Sequence, residues 1–176
     1  VRKYIFGKAA MNHSGFDFTH LKHTHKATGY FRLKEDGNSP APVVDSSVAY
    51  SAGAIYSTTG DLYKWFLALQ RNAVISETSK KLAFTPVMNK YGYGWVIDTI
   101  AGKRMIGHSG GIHGFNSNMV SSFEDSTTII LLANVSTGSL FPITNSLCSI
   151  LYNKPYELPR ERTAIVFSEE VLKQYP

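Results

Sequence analysis

The chain has 176 residues, of which 43% are hydrophobic and 18% are charged. That length and composition allow a buried core, which excludes a disordered protein and favours a single domain. The net charge of +5 is dispersed, and no basic run is longer than Lys80-Lys81 or Lys103-Arg104. Proteins that bind nucleic acids concentrate basic residues on one face, so the sequence predicts no nucleic-acid partner.

Cysteine, apolar runs and histidine spacing exclude further classes. Cys148 is the only cysteine, so no internal disulfide forms. The longest apolar run, Ile129–Ala133, is too short to cross a bilayer. The closely spaced His20, His23 and His25 lie in Thr- and Lys-rich sequence without Cys or carboxylate at ligand spacing. We interpret them as a solvated loop, and we predict no metal and no cofactor.

The first half of the chain predicts loops and then two helices. Residues 1–50 are weakly periodic, with only short helical or extended pieces expected. Thr58 and Asp61 have the spacing of a capping box, with Asp61 interpreted as a cap and not as a catalytic acid. The helix that follows carries one apolar stripe, at Leu62, Trp65, Phe66 and Leu69. A shorter helix is expected over 77–85, ending before Pro86.

The second half predicts a run of strands and a final helix. Four strands are expected, over Tyr91–Asp98, Lys103–His108, Phe115–Ser121 and Thr127–Val135. Gly102 lies in the turn of a first hairpin, and a polar turn over 123–126 joins the last two strands. The continuous apolar run in the last strand predicts that both of its faces are covered.

The final helix is expected over residues 139–153, with Pro142 tolerated in its first turn. Its apolar residues are Leu140, Ile143, Leu147, Ile150 and Leu151. Helices with apolar faces packed on an antiparallel sheet give an α+β fold. We assign residues 1–155 to one domain and residues 156–176 to a linker or the start of a further module. On the strands, Tyr93 and Trp95 are expected in the core rather than in a substrate groove.

Residues Gly107–Gly111, Gly-His-Ser-Gly-Gly, fit two different hydrolase signatures. As Gly-x-Ser-x-Gly they would form the nucleophile elbow of an α/β-hydrolase, with Ser109 as the attacking group. As His-Ser-Gly they would form a strand whose hydroxyl only assists a nucleophile elsewhere. The elbow needs a helix after the serine, and Gly114 interrupts any helix there. It also needs an acid and then a histidine after the serine, but the only later histidine is His113, and no acidic residue lies between Ser109 and His113. The context therefore disfavours the elbow, while a plain hairpin turn is a third interpretation.

Several stretches decide between these interpretations by resemblance. They are Met11–Phe16, Tyr50–Leu62, Tyr91–Trp95, Gly107–Phe115 and Leu131–Asn134. In this order they resemble the serine β-lactamase-related family, which includes class C β-lactamases, D,D-peptidases and penicillin-binding-protein-like esterases. The resemblance covers about residues 4–155 and implies a partial β-lactamase/transpeptidase-like fold.

The family's chemistry rests on three elements, Ser-x-x-Lys, Tyr-x-Asn or Ser-x-Asn, and Lys-Thr-Gly or His-x-Gly. Neither Ser-x-x-Lys nor Tyr-x-Asn occurs here, and only the third element is present, as His108-Ser109-Gly110. The resemblance therefore implies the C-terminal portion of a serine hydrolase, without the N-terminal strands and the helical lobe that bears the nucleophile. We predict that this chain alone is inactive.

The resemblance also implies roles for individual residues. His108, Ser109 and Gly111 would be catalytic, with the N–H of Gly111 as an oxyanion-hole donor. Ser109, Gly110, Gly111 and His113 would contact substrate, although a structural role in a turn fits His113 equally well. His108 stands where many family members have Lys, and an imidazole is a less dependable positive charge at neutral pH.

The resemblance further implies a small-molecule or peptidoglycan-like acyl substrate, which can be a β-lactam, a peptide or an ester. It implies an extracytoplasmic bacterial protein. The alternative function is a non-catalytic penicillin-binding-like module that keeps the fold and the groove. Because the strand Thr127–Val135 would lack its N-terminal neighbours, we also expect a homodimer or strand exchange through its unpaired outer edge.

Overall fold

The computed structural model describes residues 1–16, 18–19, 21–22, 26–34 and 37–158. The histidine group at 20, 23 and 25 and most of the predicted linker, from 159 onward, lie outside these residues. A π-helical turn, Arg2–Phe6, precedes the other elements. The helices are α1 (Ser46–Gly53), α2 (Thr59–Gln70), α3 (Glu77–Ala83) and α4 (Leu140–Leu151). The strands are β1 (Tyr30–Arg32), β2 (Ser39–Pro40), β3 (Val96–Ile100), β4 (Lys103–Ile112), β5 (Phe115–Ser122) and β6 (Thr127–Ala133).

The centre of the fold is a four-stranded antiparallel sheet in the order β3-β4-β5-β6. Consecutive residues of β4 show how the helices cover it, because neighbours on a strand point to opposite faces. Met105 packs with Cys148 of α4, and Ile106 packs with Leu69 of α2. Helices α2 and α4 therefore lie on opposite faces of the sheet, which confirms the predicted α+β class. None of the described helices is long and apolar enough to cross a membrane.

The start of α2 agrees with the sequence only in part. Thr58 is the N-cap, and its hydroxyl accepts from the Asp61 N–H at 3.2 Å. The Asp61 carboxylate, however, accepts from the backbone N–H of His13 at 2.6 Å and from the Ser14 hydroxyl at 2.9 Å. Asp61 thus ties the N-terminal segment to α2, in addition to its place in the cap.

The predicted strand over Tyr91–Asp98 is wrong in its first half, since β3 begins at Val96. Asn89 and Lys90 have positive φ, which forces a turn. At Gly92 a Cβ would lie 2.3 Å from the Ala83 carbonyl oxygen, so only glycine fits so close to the end of α3. Trp95 packs against Phe84 as predicted. Tyr93, expected in the core, is 64% exposed.

The buried face of α4 also differs from the prediction. Its buried side chains are Thr144 and Cys148, whereas Leu147, Ile150 and Leu151 are exposed. On this side of the helix, Asn118 of β5 donates to the Thr144 hydroxyl at 2.8 Å, and Cys148 packs with Met105 and Val120 of the sheet.

The cover predicted for both faces of the last strand is incomplete. Most side chains of β6 are partly buried, and Leu132 is 44% exposed. Helix α1 was not predicted, and it contains a kink at Tyr50, where φ is +37°.

Candidate active-site strand

Ser109 lies in the middle of β4, paired with Asn118 of β5. A nucleophile elbow requires a sharp turn at the serine that leads into a helix, and here the strand continues to Ile112. The α/β-hydrolase interpretation is therefore wrong. So is the interpretation of Gly107–Gly111 as a hairpin turn, because the turn lies three residues beyond Gly110, at His113-Gly114.

One edge of β4 is unpaired where the His-Ser-Gly triplet lies. Strand β3 pairs with β4 only as far as Val96 opposite Gly107, while β5 pairs with β4 from Ile106 to Ile112. Within the described ranges, no strand covers residues 108–112 on the β3 side. We call this stretch the open edge.

The turn geometry shows which backbone groups face the open edge. The β3–β4 turn has two residues, Ala101 and Gly102, both with positive φ, as in a type I′ turn. Such a turn closes on a hydrogen-bonded pair, so alternate residues from Lys103 to Gly107 direct their N–H and C=O groups toward β3. Because the alternation continues along β4, Ser109 and Gly111 direct their N–H and C=O groups to the open edge.

His108 is held by hydrogen bonds at both ring nitrogens. Its Nε2 lies 2.9 Å from the Tyr91 hydroxyl, and the two rings meet edge to face with centroids 5.7 Å apart. Its Nδ1 lies 2.6 Å from the Ser109 carbonyl oxygen. The imidazole therefore occupies one acceptor of the open edge, while the N–H and C=O of Gly111 lie two residues further along.

A cleft of about 310 Å³ lies beside the triplet. Its walls include Ser109, Gly110 and Gly111, the facing residues of β5, Thr137 and the first turn of α4. All of the side chains that line it are uncharged. Such a surface offers hydrogen-bond donors and acceptors without a fixed charge, which suits a neutral carbonyl group.

The structure separates His113 from the other predicted site residues. His113 occupies the β4–β5 turn and packs edge to face against Phe31, with centroids 5.7 Å apart. Sequence reasoning missed Asn116 and Asn118, which lie opposite Gly111 and Ser109. A two-residue turn at His113-Gly114 fixes that register, so the signal was present in the sequence. The contact between Tyr91 and His108 had no such signal.

The Beta-lactamase family model matches residues 1–146. The chain belongs to the Beta-lactamase family. Two curated relatives come from Bacillus subtilis (strain 168). Penicillin-binding protein 4* is 35% identical over 121 residues, or 64% of this chain and 27% of the relative. The putative penicillin-binding protein PbpX is 31% identical over 156 residues, or 86% of this chain and 38% of the relative. This member thus spans well under half the length of either relative.

Solved structures show the same fold. The octameric penicillin-binding protein homologue from Pyrococcus abyssi matches with a TM-score of 0.71 at 23% identity, over 87% of this chain and 37% of that one. FmtA from Staphylococcus aureus matches with a TM-score of 0.70 at 22% identity, over 89% and 43%. D-amino acid amidase from Ochrobactrum anthropi SV3 matches with a TM-score of 0.65 at 23% identity, over 87% and 52%.

Proposed function

We propose that this Beta-lactamase-family chain supplies the strand edge of a serine acyl-hydrolase site, and that the attacking serine belongs to another part of the protein. The observation that carries the proposal is the open edge, where no described strand pairs with Gly111, and the same residue also lines a cleft without charged side chains. Gly110 and Gly111 have no side chains to keep a substrate from the backbone.

The chemistry assigned to this edge is electrostatic. When a serine attacks a carbonyl, negative charge develops on the carbonyl oxygen, and a fixed N–H stabilises it. The N–H of Gly111 would be one such donor, and the N–H of the nucleophilic serine would be the other. Ser109 would hydrogen-bond to the substrate. The names of the relatives, which include penicillin-binding proteins and D-amino acid amidases, support β-lactams or amides as the substrate class.

The first test treats the 176-residue chain with a fluorescent penicillin and with a fluorophosphonate, followed by mass spectrometry. We expect no adduct, because the chain lacks Ser-x-x-Lys and Tyr-x-Asn. A stoichiometric adduct on Ser109 would overturn the proposal. A protein whose complete coding sequence carries both elements is expected to be acylated. If that sequence lacks them, the protein is the non-catalytic binding module instead.

The second test examines Gly111 in the protein that carries the nucleophile. Gly111→Pro removes the N–H donor, and it costs no sheet hydrogen bond because this N–H faces the open edge. Gly111→Ala is the matched control, since it keeps the N–H and its Cβ would lie 3.2 Å from the movable Asn116 amide. We expect acylation to fall about 100- to 1,000-fold in the proline variant only. Equal rates in the two variants would remove Gly111 from the oxyanion hole.

For assembly, we propose that two copies of the chain associate through the outer edge of β6. In the described part of the chain no strand pairs with that edge over Thr127–Ala133. The octameric state named for the homologue from Pyrococcus abyssi supports self-association within this fold.

For location, the resemblance supports an extracytoplasmic site in a bacterium, which fractionation of the producing cells with antibody detection would test.

A further inference from the structure

Tyr91 is held firmly although its ring is partly exposed. Its carbonyl accepts from Val87 N–H at 2.8 Å, and its N–H donates to the Met88 carbonyl at 2.8 Å. It also forms an isolated antiparallel bridge with Val96 at the start of β3. The close contact of Gly92 with the end of α3 fixes the next residue. Tyr91 therefore presents its hydroxyl to His108 from a backbone with little freedom.

The contact of His108 with the Ser109 carbonyl determines where the proton of the neutral ring lies. A carbonyl oxygen can only accept, so the 2.6 Å contact with Ser109 requires the proton on Nδ1. In the neutral ring Nε2 is then a bare acceptor, and the Tyr91 hydroxyl donates to it at 2.9 Å. Both nitrogens are satisfied in this one neutral form.

We propose that Tyr91 is a positioning residue, whose hydroxyl donates to Nε2 of the Nδ1–H tautomer and holds the imidazole against the Ser109 carbonyl at the open edge. This contact occupies the Ser109 carbonyl, and it leaves the N–H of Ser109 and the N–H and C=O of Gly111 unoccupied at this edge. Its effect on acyl transfer rests on the proposed function, whereas the tautomer itself does not.

The experiment is nitrogen-15 NMR of the histidine side chains in the 176-residue chain, in which long-range proton–nitrogen correlations distinguish the two tautomers. His108→Gln assigns the signal of His108. We expect a protonated Nδ1 and a bare, hydrogen-bonded Nε2 in the unmodified chain. Tyr91→Phe is expected to move the Nε2 signal downfield and to raise the share of the other tautomer.

Tyr93→Phe is the matched control, because Tyr93 lies two residues away in the same segment and is 64% exposed. It is expected to leave the His108 signals unchanged. A protonated Nε2 in the unmodified chain would overturn the proposal without any variant. Equal His108 signals in the two phenylalanine variants would overturn it as well.

A kinetic measurement extends the test to the protein that carries the nucleophile. Loss of one hydrogen bond to a positioned side chain corresponds to about a two- to tenfold slower acylation in Tyr91→Phe than in Tyr93→Phe. Equal acylation rates would overturn the positioning role in catalysis. The NMR readout involves no acyl transfer, so failure of the proposed function and failure of this inference are distinguishable.

Discussion

Asp61 shows how one buried carboxylate connects distant parts of this chain. It is 1% exposed, and it accepts hydrogen bonds from Ser14 and from the backbone of His13, 47 and 48 residues away. The Lys64 Nζ forms an ion pair with the Asp61 Oδ1 at 2.8 Å. Desolvation on burial, the largest single influence, raises the pKa of Asp61, but the hydrogen bonds from Lys64, Ser14 and His13 together lower it below 3.8. The ionised form therefore stabilises the fold.

Asp61→Asn is expected to lower the free energy of unfolding by about 1–3 kcal/mol at neutral pH. The reason is that one carboxylate oxygen becomes an amide nitrogen, which cannot accept hydrogen bonds from the surrounding donors. A lowered folded pKa gives stability that is present above the unfolded pKa, near 3.8, and lost as pH falls through the folded value. The difference between the two proteins should thus shrink below pH 3.8. Urea unfolding at a series of pH values measures it.

Asp98→Asn is the control for this prediction. Asp98 is also paired with a lysine, Lys90, at 2.7 Å, but its side chain is 40% exposed. A solvent-exposed pair contributes little, so we expect a change of less than about 1 kcal/mol. Equal losses in the two variants would contradict the role given to the buried hydrogen bonds of Asp61.

At the scale of elements, Gly107 shows why the glycines of β4 are not equivalent. A Cβ at Gly107 would lie 2.0 Å from the Met119 carbonyl oxygen and 2.8 Å from the Val120 Cα, both of which are backbone atoms of β5. A Cβ at Gly110 would lie 2.7 Å from the Ser117 hydroxyl oxygen, which can rotate away. The first glycine permits the pairing of two strands, while the second only keeps the surface open.

Gly107→Ala is therefore expected to destabilise the chain by about 1–3 kcal/mol, since β5 must shift to admit the methyl group. Gly110→Ala should cost clearly less, because only a side chain must move. Thermal unfolding of both variants followed by circular dichroism gives the comparison. A melting temperature for Gly107→Ala at or above that of Gly110→Ala would refute the close strand approach.

The sequence predicted the elements that depend on local patterns. Helix α2 and the hairpin of β3 and β4 follow from a cap, an apolar period and a turn glycine, whereas the extension of β4 beyond His108 to Ile112 was not predicted. It failed where one contact decides between equal local choices. On α4 the apolar residues surround the helix, so nothing local shows that Thr144 rather than Leu147 meets the sheet. At the site, the triplet itself was predictable, but the contact between Tyr91 and His108 depends on a turn whose shape is set by Gly92 and Ala83.

At the scale of the whole molecule, two edges of the sheet region lack a strand within the described residues, and they differ in length and chemistry. The open edge of β4 covers residues 108–112 beside a polar cleft. The outer edge of β6 covers Thr127–Ala133, and only beyond it does Tyr30 form a parallel bridge with Val135. A long apolar edge recruits a second strand more readily than a short polar one.

The expected homodimer can be tested by blocking the β6 edge. Leu132 lies on β6 and is 44% exposed. The substitution Leu132→Lys should keep the chain monomeric, because a charged edge residue opposes strand pairing. Leu147→Lys is the matched control, since Leu147 is 39% exposed but belongs to α4 and not to β6. Light scattering at rising concentration should show a dimer for the unmodified chain and the control. If the unmodified chain is a monodisperse monomer at high concentration, the dimer is refuted. If Leu147→Lys is a monomer and Leu132→Lys is a dimer, the contact lies on α4 instead of β6.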